Sequence, residues 1–329
     1  MDQQQKTKRF GFYIILCACV LRLSIAGIPG RLFRNLVQAG TSSILTYLET
    51  GRNVRFSASL EKKMDFIRES PMPWIPQPEK PGFSPSDVDL VEMDYDCAYR
   101  PDLETLVTRP LDWDLTADEP TVLILHTHAT ESYTKNGEMY AETAAYRTLD
   151  ENYNMLSIGD TVADVLTQAG IGVIHDRGIH DYPSYSGSYV HSRNSVEEIL
   201  EQYPSVCLVL DLHRDAVEKD GKQLRPLAQA EGKPSAQLML VVGTDISRQS
   251  HENWQENLAL ALKLHIQLER MTPGIMRPLN LRAQRFNQDL SPGALLVEVG
   301  AAGNTREEAL TAARKLADAL VFLSKGAKE

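Results

Sequence analysis

Four short, unbroken apolar runs constrain this chain more than any other feature. They are 121–125 (TVLIL), 206–210 (VCLVL), 238–242 (LMLVV) and 294–299 (ALLVEV). A run of this kind has no wet face, so as a strand it has to be covered on both sides. A shorter stretch, 171–174 (IGVI), has the same character. Between the runs the apolar spacing becomes helical: over 156–169, ending at Gly170; in a helix that finishes over 196–202; over 252–270; and over 305–323, with Asn304 or Thr305 as its cap. Strands alternating with helices predict an α/β domain of three layers, its largely parallel (mixed) sheet carrying helices on both faces. Ligands of such sheets sit beyond the carboxyl ends of the strands. The residues that follow each run therefore matter most.

The first third reads differently. Lys6, Lys8 and Arg9 precede an apolar stretch from Phe10 to Leu21, and after Arg22 the chain is again mostly apolar to Pro29. A basic flank before roughly 20 apolar residues has the shape of a signal anchor. No small-x-small site ends it cleanly, and the Arg22 stem can reach back to the interface. Residues 1–30 are therefore expected to be an uncleaved anchor in the cytoplasmic membrane, with the N-terminus inside and the rest of the chain outside. A cleaved signal peptide is the alternative. Residues 31–95 are expected to be a linker, whose 70–90 stretch, with Pro71, Pro73, Pro76, Pro78, Pro81 and Pro85, makes an extended stalk. Residues 96–329 remain for the catalytic domain. A net charge of −10 argues against nucleic acid as a partner. Four cysteines without a CxxC pair argue against a cysteine zinc site and a disulfide framework, leaving a single Cys97–Cys207 bridge as the one alternative.

Three strand ends carry metal-competent or acidic groups. The 121–125 run leads into His126-Thr127-His128-Ala129-Thr130-Glu131, the 206–210 run leads into Asp211-Leu212-His213-Arg214-Asp215, and the 294–299 run contains Glu298. Two histidines and a carboxylate make a three-ligand catalytic zinc set that leaves one position open. A further carboxylate is needed to move a proton from water to a leaving amine. Glu298 suits that part, since a carboxylate inside an apolar strand is costly unless paired or used. A salt-bridged strand-end Glu is the equally weighted alternative. His128 and Glu131 have a two-ligand spacing on one turn. His126 competes with His128, and only one of the two is expected to line the site. Asp150 or Glu151 could replace Glu131. Asp211 and Asp215 could orient an imidazole, and Arg214 could hold a substrate carboxylate or an anionic intermediate. His175, His180 and His191 flank a Tyr- and Ser-rich segment, 181–189, that reads as a surface loop suited to sugar or peptide contacts.

HTHATESY (126–133), DLHRDA (211–216) and LLVEVG (295–300) together resemble the stage II sporulation protein P family. The resemblance covers roughly residues 95–329, and the N-terminal third in layout only. It implies a zinc-dependent N-acetylmuramoyl-L-alanine amidase-like fold and site, with His128 and His213 as ligands, Glu298 as the catalytic acid, and Pro292 and Asn304 flanking the last strand. The carboxylate ligand it implies is Glu131 or Asp150; Glu131 is favoured because it shares a turn with His128. It also implies a peptidoglycan substrate, some endopeptidase activity, a place in the mother-cell membrane facing the septal wall during engulfment, and partners resembling stage II sporulation proteins D and M. A non-catalytic wall-binding scaffold and a zinc peptidase acting within stem peptides are the competing expectations.

Overall fold

The computed structural model describes residues 82–324 except 112, 135–145, 220–221 and 248–249. They belong to a compact unit running Ile67–Glu329. The expected anchor at 1–30 and the linker as far as residue 81 lie outside the described residues. Among the described residues no helix is long and apolar enough to cross a membrane.

After a 3-10 helix, Pro85–Leu90, the elements run β1 (Met93–Asp96), α1 (Leu103–Thr108), β2 (Val122–Leu125), α2 (Met155–Gln168), β3 (Val173–His175), α3 (Ser188–Gln202) and β4 (Leu208–Asp215). Two small hairpins follow, β5 (Glu218–Lys219) with β6 (Lys222–Gln223) and β7 (Leu227–Ala230) with β8 (Lys233–Ala236). Then come β9 (Leu238–Gly243), α4 (Trp254–Met271), β10 (Leu279–Arg282), β11 (Ala294–Ala301) and α5 (Arg306–Ser324). The main sheet has the order β1-β10-β9-β11-β4-β2-β3. Every neighbouring pair is parallel except β9 with β11. The sheet is thus two parallel blocks running in opposite directions, the mixed α/β arrangement expected. β1 lies across the expected linker boundary at residue 95 and forms one edge of the sheet.

The four apolar runs become the four adjacent interior strands β9, β11, β4 and β2. Their two faces are covered unequally. Val122, Ile124, Leu210, Leu240, Val242, Leu295 and Val297 join a core built with α2, α4 and α5. Each such side chain, fully buried, contributes about 1.5–3 kcal/mol. On the other face Leu123, Leu125, Val209 and Ala294 meet Val196 of α3, while Met239, Val241 and Leu296 meet Phe286. α2 starts where the Asn154 side chain accepts from Leu156 N at 3.0 Å. It approaches the sheet so closely that a Cβ on Gly159 would lie 2.4 Å from His175 Nε2 and 2.5 Å from His126 Nε2.

Candidate metal centre

β2 stops at Leu125, and the chain then turns, with Glu131 N donating to His128 O at 3.1 Å. That turn carries the Glu131 carboxylate back beside the His128 ring, Nδ1 to Oε1 3.5 Å. From β4, next to β2 in the sheet, His213 Nδ1 comes within 3.5 Å of the other oxygen, Oε2. One ligand-type atom from each of His128, Glu131 and His213 lies within 4.8 Å of the other two. The three residues are 7%, 5% and 4% exposed, so water is largely excluded around them.

The charges at this cluster are tightly linked. Burial opposes ionisation of Glu131, but the Arg214 charge and hydrogen bonds from His128 and His213 hold its carboxyl well below the usual carboxylate range. Burial likewise opposes a charge on His213, yet Asp211 and Glu131 raise its imidazole well above the ordinary value. The His213 Nε2–Asp211 Oδ1 separation is 2.9 Å, an ion-pair contact whose angle falls outside hydrogen-bond geometry. Asp211 also accepts from Thr127 N at 2.8 Å and Thr127 Oγ1 at 2.6 Å.

Glu298 of β11 is paired in register with His213 of β4. Among the described residues its Oε2 is a buried oxygen with no hydrogen-bond partner. Burial, helped by the charges of Glu131 and Asp215 and opposed by His213, pushes its carboxyl up to about 8. Two imidazoles and a carboxylate converging in a buried cluster, with an unpaired carboxyl oxygen on the adjacent strand, suit zinc as a donor set.

Other expected residues lie elsewhere. His126 points away from the cluster: its Nδ1 is 3.0 Å from Leu212 O and its Nε2 2.9 Å from His175 Nε2. Burial, then the neighbouring His175, hold its imidazole down to about 3. Asp150 is not in the cluster; its Oδ1 accepts from Asn152 N at 3.0 Å and closes a turn. Arg214, the expected substrate clamp, makes main-chain contacts. It is 3% exposed, with Nε donating to Ser132 O at 3.1 Å and Nη2 to Tyr146 O at 2.8 Å, while its main-chain N donates to Glu131 Oε2 at 3.1 Å. Its guanidinium thus ties the main chain at Ser132 to that at Tyr146.

A different arginine reaches the cluster. Arg147 Nη2 donates to Glu131 Oε1 at 3.2 Å, and Nη1 to Asp181 Oδ2 at 2.6 Å. Its Cζ lies 4.7 Å from the Tyr185 ring centroid. Tyr185, 57% exposed, stacks on His128 at 4.7 Å, and Tyr189 meets His128 edge-on at 5.5 Å. No spacing in the sequence marks Arg147. The 181–189 segment was legible as a groove-lining candidate, but α3 begins inside it at Ser188.

A profile of stage II sporulation protein P matches residues 61–321. The chain belongs to this family. It is 30% identical over 220 residues to stage II sporulation protein P of Bacillus subtilis (strain 168), covering 62% of this chain and 51% of that protein. The chain thus spans about half the length of the curated family member it matches. Two solved structures show distant likeness to this family member. One is the CwlD amidase from Clostridioides difficile in complex with the GerS lipoprotein, at TM-score 0.41, 14% identity, and coverage of 62% of this chain and 95% of that one. The other is an N-acetylmuramoyl-L-alanine amidase from Clostridium difficile 630, at TM-score 0.35, 17% identity, and coverage of 62% and 94%. Neither likeness is close enough to assign a role to a residue.

Proposed function

We propose that this chain is a zinc-dependent peptidoglycan hydrolase that cleaves the amide between N-acetylmuramic acid and the L-alanine of the stem peptide. The observation that carries the reading is the convergence of His128, Glu131 and His213 within 4.8 Å, with the Glu298 carboxyl in register on the neighbouring strand. When bound, zinc supplies a Lewis acid that polarises a carbonyl and acidifies water. His128, Glu131 and His213 would hold it. Glu298, ionised by the added positive charge, takes a proton at Oε2 and returns it to the leaving amine nitrogen. Arg214 keeps Glu131 anionic and fixes the turn that presents it. The exposed Tyr185 ring at the mouth offers an apolar face to a sugar or peptide.

Membership of the family supports a role in septal wall degradation during engulfment. The basic and apolar pattern of residues 1–30 supports anchoring in the mother-cell membrane with the catalytic domain outside the cytoplasm. Stage II sporulation proteins D and M are the partners this reading expects. The test is digestion of purified peptidoglycan by the metal-loaded protein, with mass analysis of the products. Intact stem peptides released from glycan are expected. Fragments of stem peptides point instead to a peptidase, and full activity after thorough chelation defeats the zinc reading.

A further inference from the structure

The three ligands come from two distant stretches of the chain, the 128–131 turn and β4, yet the groups that hold them trace back to one short segment. We propose that residues 181–192, the loop before α3 and the first turns of α3, form the outer holder of the metal centre and set how tightly it retains metal. This rests on the zinc reading above.

Each ligand reaches the segment by its own route. His128 turns Nδ1 toward Glu131, and its other nitrogen, Nε2, lies 3.0 Å from Ser188 Oγ. Metal binding at Nδ1 leaves the proton on Nε2, so the Ser188 oxygen accepts it and fixes both tautomer and ring angle. Gly187 is the N-cap of α3, with a φ of +91° and no side-chain cap. The Ser188 hydroxyl is therefore not spent on capping and is free for the ring. Glu131 is held through Arg147, which ion-pairs with Asp181 at 2.6 Å. The Asp181 side chain is fully buried and also accepts from Thr130 Oγ1 at 2.5 Å. His213 is held by Asp211, Asp211 by the Thr127 hydroxyl, and Thr127 by Ser192, Oγ to Oγ 2.8 Å. Asp181, Ser188 and Ser192 lie within twelve residues and are 6%, 3% and 0% exposed. A polar group so deeply buried has to be satisfied, and these three are satisfied by ligand residues or their immediate holders.

Loss of an outer partner of a metal ligand typically costs 10–100-fold in metal affinity or activity. The test uses the full chain, wild type beside Ser188→Ala, Ser188→Thr and Asp181→Asn. Zinc affinity is read by competition with a chromophoric chelator, zinc release by stopped flow, and the unfolding temperature in excess chelator. Ser188→Ala is expected to bind zinc about 10–100-fold more weakly and release it faster, with the chelated protein unfolding near the wild-type temperature. Ser188→Thr, which keeps the hydroxyl, is expected to restore most of the affinity. Asp181→Asn should also weaken zinc, and Ser188→Ala stands as the decisive variant if Asp181→Asn does not fold. Wild-type affinity in Ser188→Ala overturns the proposal while leaving the zinc reading intact. So does an affinity loss that Ser188→Thr does not restore and that is matched by an equal loss of chelated stability. A wild-type chain that binds no zinc overturns both.

Discussion

The two faces of the sheet part company at the carboxyl end of β2. On one side His126 is fully buried against His175 and the Gly159 turn of α2, continuing a core dominated by aliphatic side chains from three helices. On the other, His128 meets Glu131, His213 and Ser188 under the single helix α3. Strand alternation does not explain this split, because residues two apart on a strand share a face. The strand ends at Leu125, and the turn through 128–131 rotates His128 to the opposite side. The same two-histidine stretch thus gives a packing residue and a ligand candidate, and which is which depends on where the ladder stops.

The sharpest way to break that contrast is on the site face. Glu298→Gln is expected to lower kcat on peptidoglycan by about 10²–10⁴-fold while zinc content, read by atomic absorption, stays at wild type. Loss of zinc in that variant would make Glu298 a ligand and redraw the site. Next comes a pH effect on the same carboxyl. Its folded value near 8 lies above the ordinary 4.5, so the folded chain binds a proton that the unfolded chain has released. The metal-free protein should lose stability as pH rises from about 4.5 to about 8, by on the order of 5 kcal/mol, and Glu298→Gln should flatten this slope. Parallel slopes in denaturant titrations of the two proteins would remove the buried acid from the account. On the packing face, Gly159→Ala forces a Cβ into both His126 and His175 and should cost about 1–3 kcal/mol with little change in zinc affinity. A variant that folds normally but loses zinc would show that the two faces are coupled. The smallest effect is expected at the mouth: Tyr185→Ala should raise KM for wall fragments less than about tenfold, with kcat held, because the ring is half in water. An unchanged KM would leave Tyr185 as a mere cover over His128.

What the sequence made legible follows from burial. The interior strands are dominated by aliphatic residues, so 121–125, 206–210, 238–242 and 294–299 read correctly as covered strands, and α2, α4 and α5 fall within two residues of their expected bounds. The two strands at the β1 end of the sheet were illegible for the opposite reason. β1, Met-Asp-Tyr-Asp, and β10, Leu-Asn-Leu-Arg, mix polar and apolar residues as a loop would. The reversed direction of β9 against β11 has no local signature, because an apolar run reads the same whichever way it is threaded. In the site, His128, Glu131 and His213 stood out through their place at strand ends. Arg147 and Ser188 did not, since an isolated Arg or Ser acquires its meaning only from what lies across the fold. Arg214 read as a substrate group because it sits beside a ligand, while the carbonyls of Ser132 and Tyr146 that it meets in the fold leave no mark in the sequence.

β11 enters the middle of the sheet, wedged between β9 and β4, yet it is the last strand the ribosome makes. Glu298 is translated 170 residues after His128. A nascent chain that already holds both histidines still lacks the strand that joins its two halves, and with it Glu298. A premature stop before Ala294 would leave an open seam at the centre of the domain, with β9 and β4 unjoined.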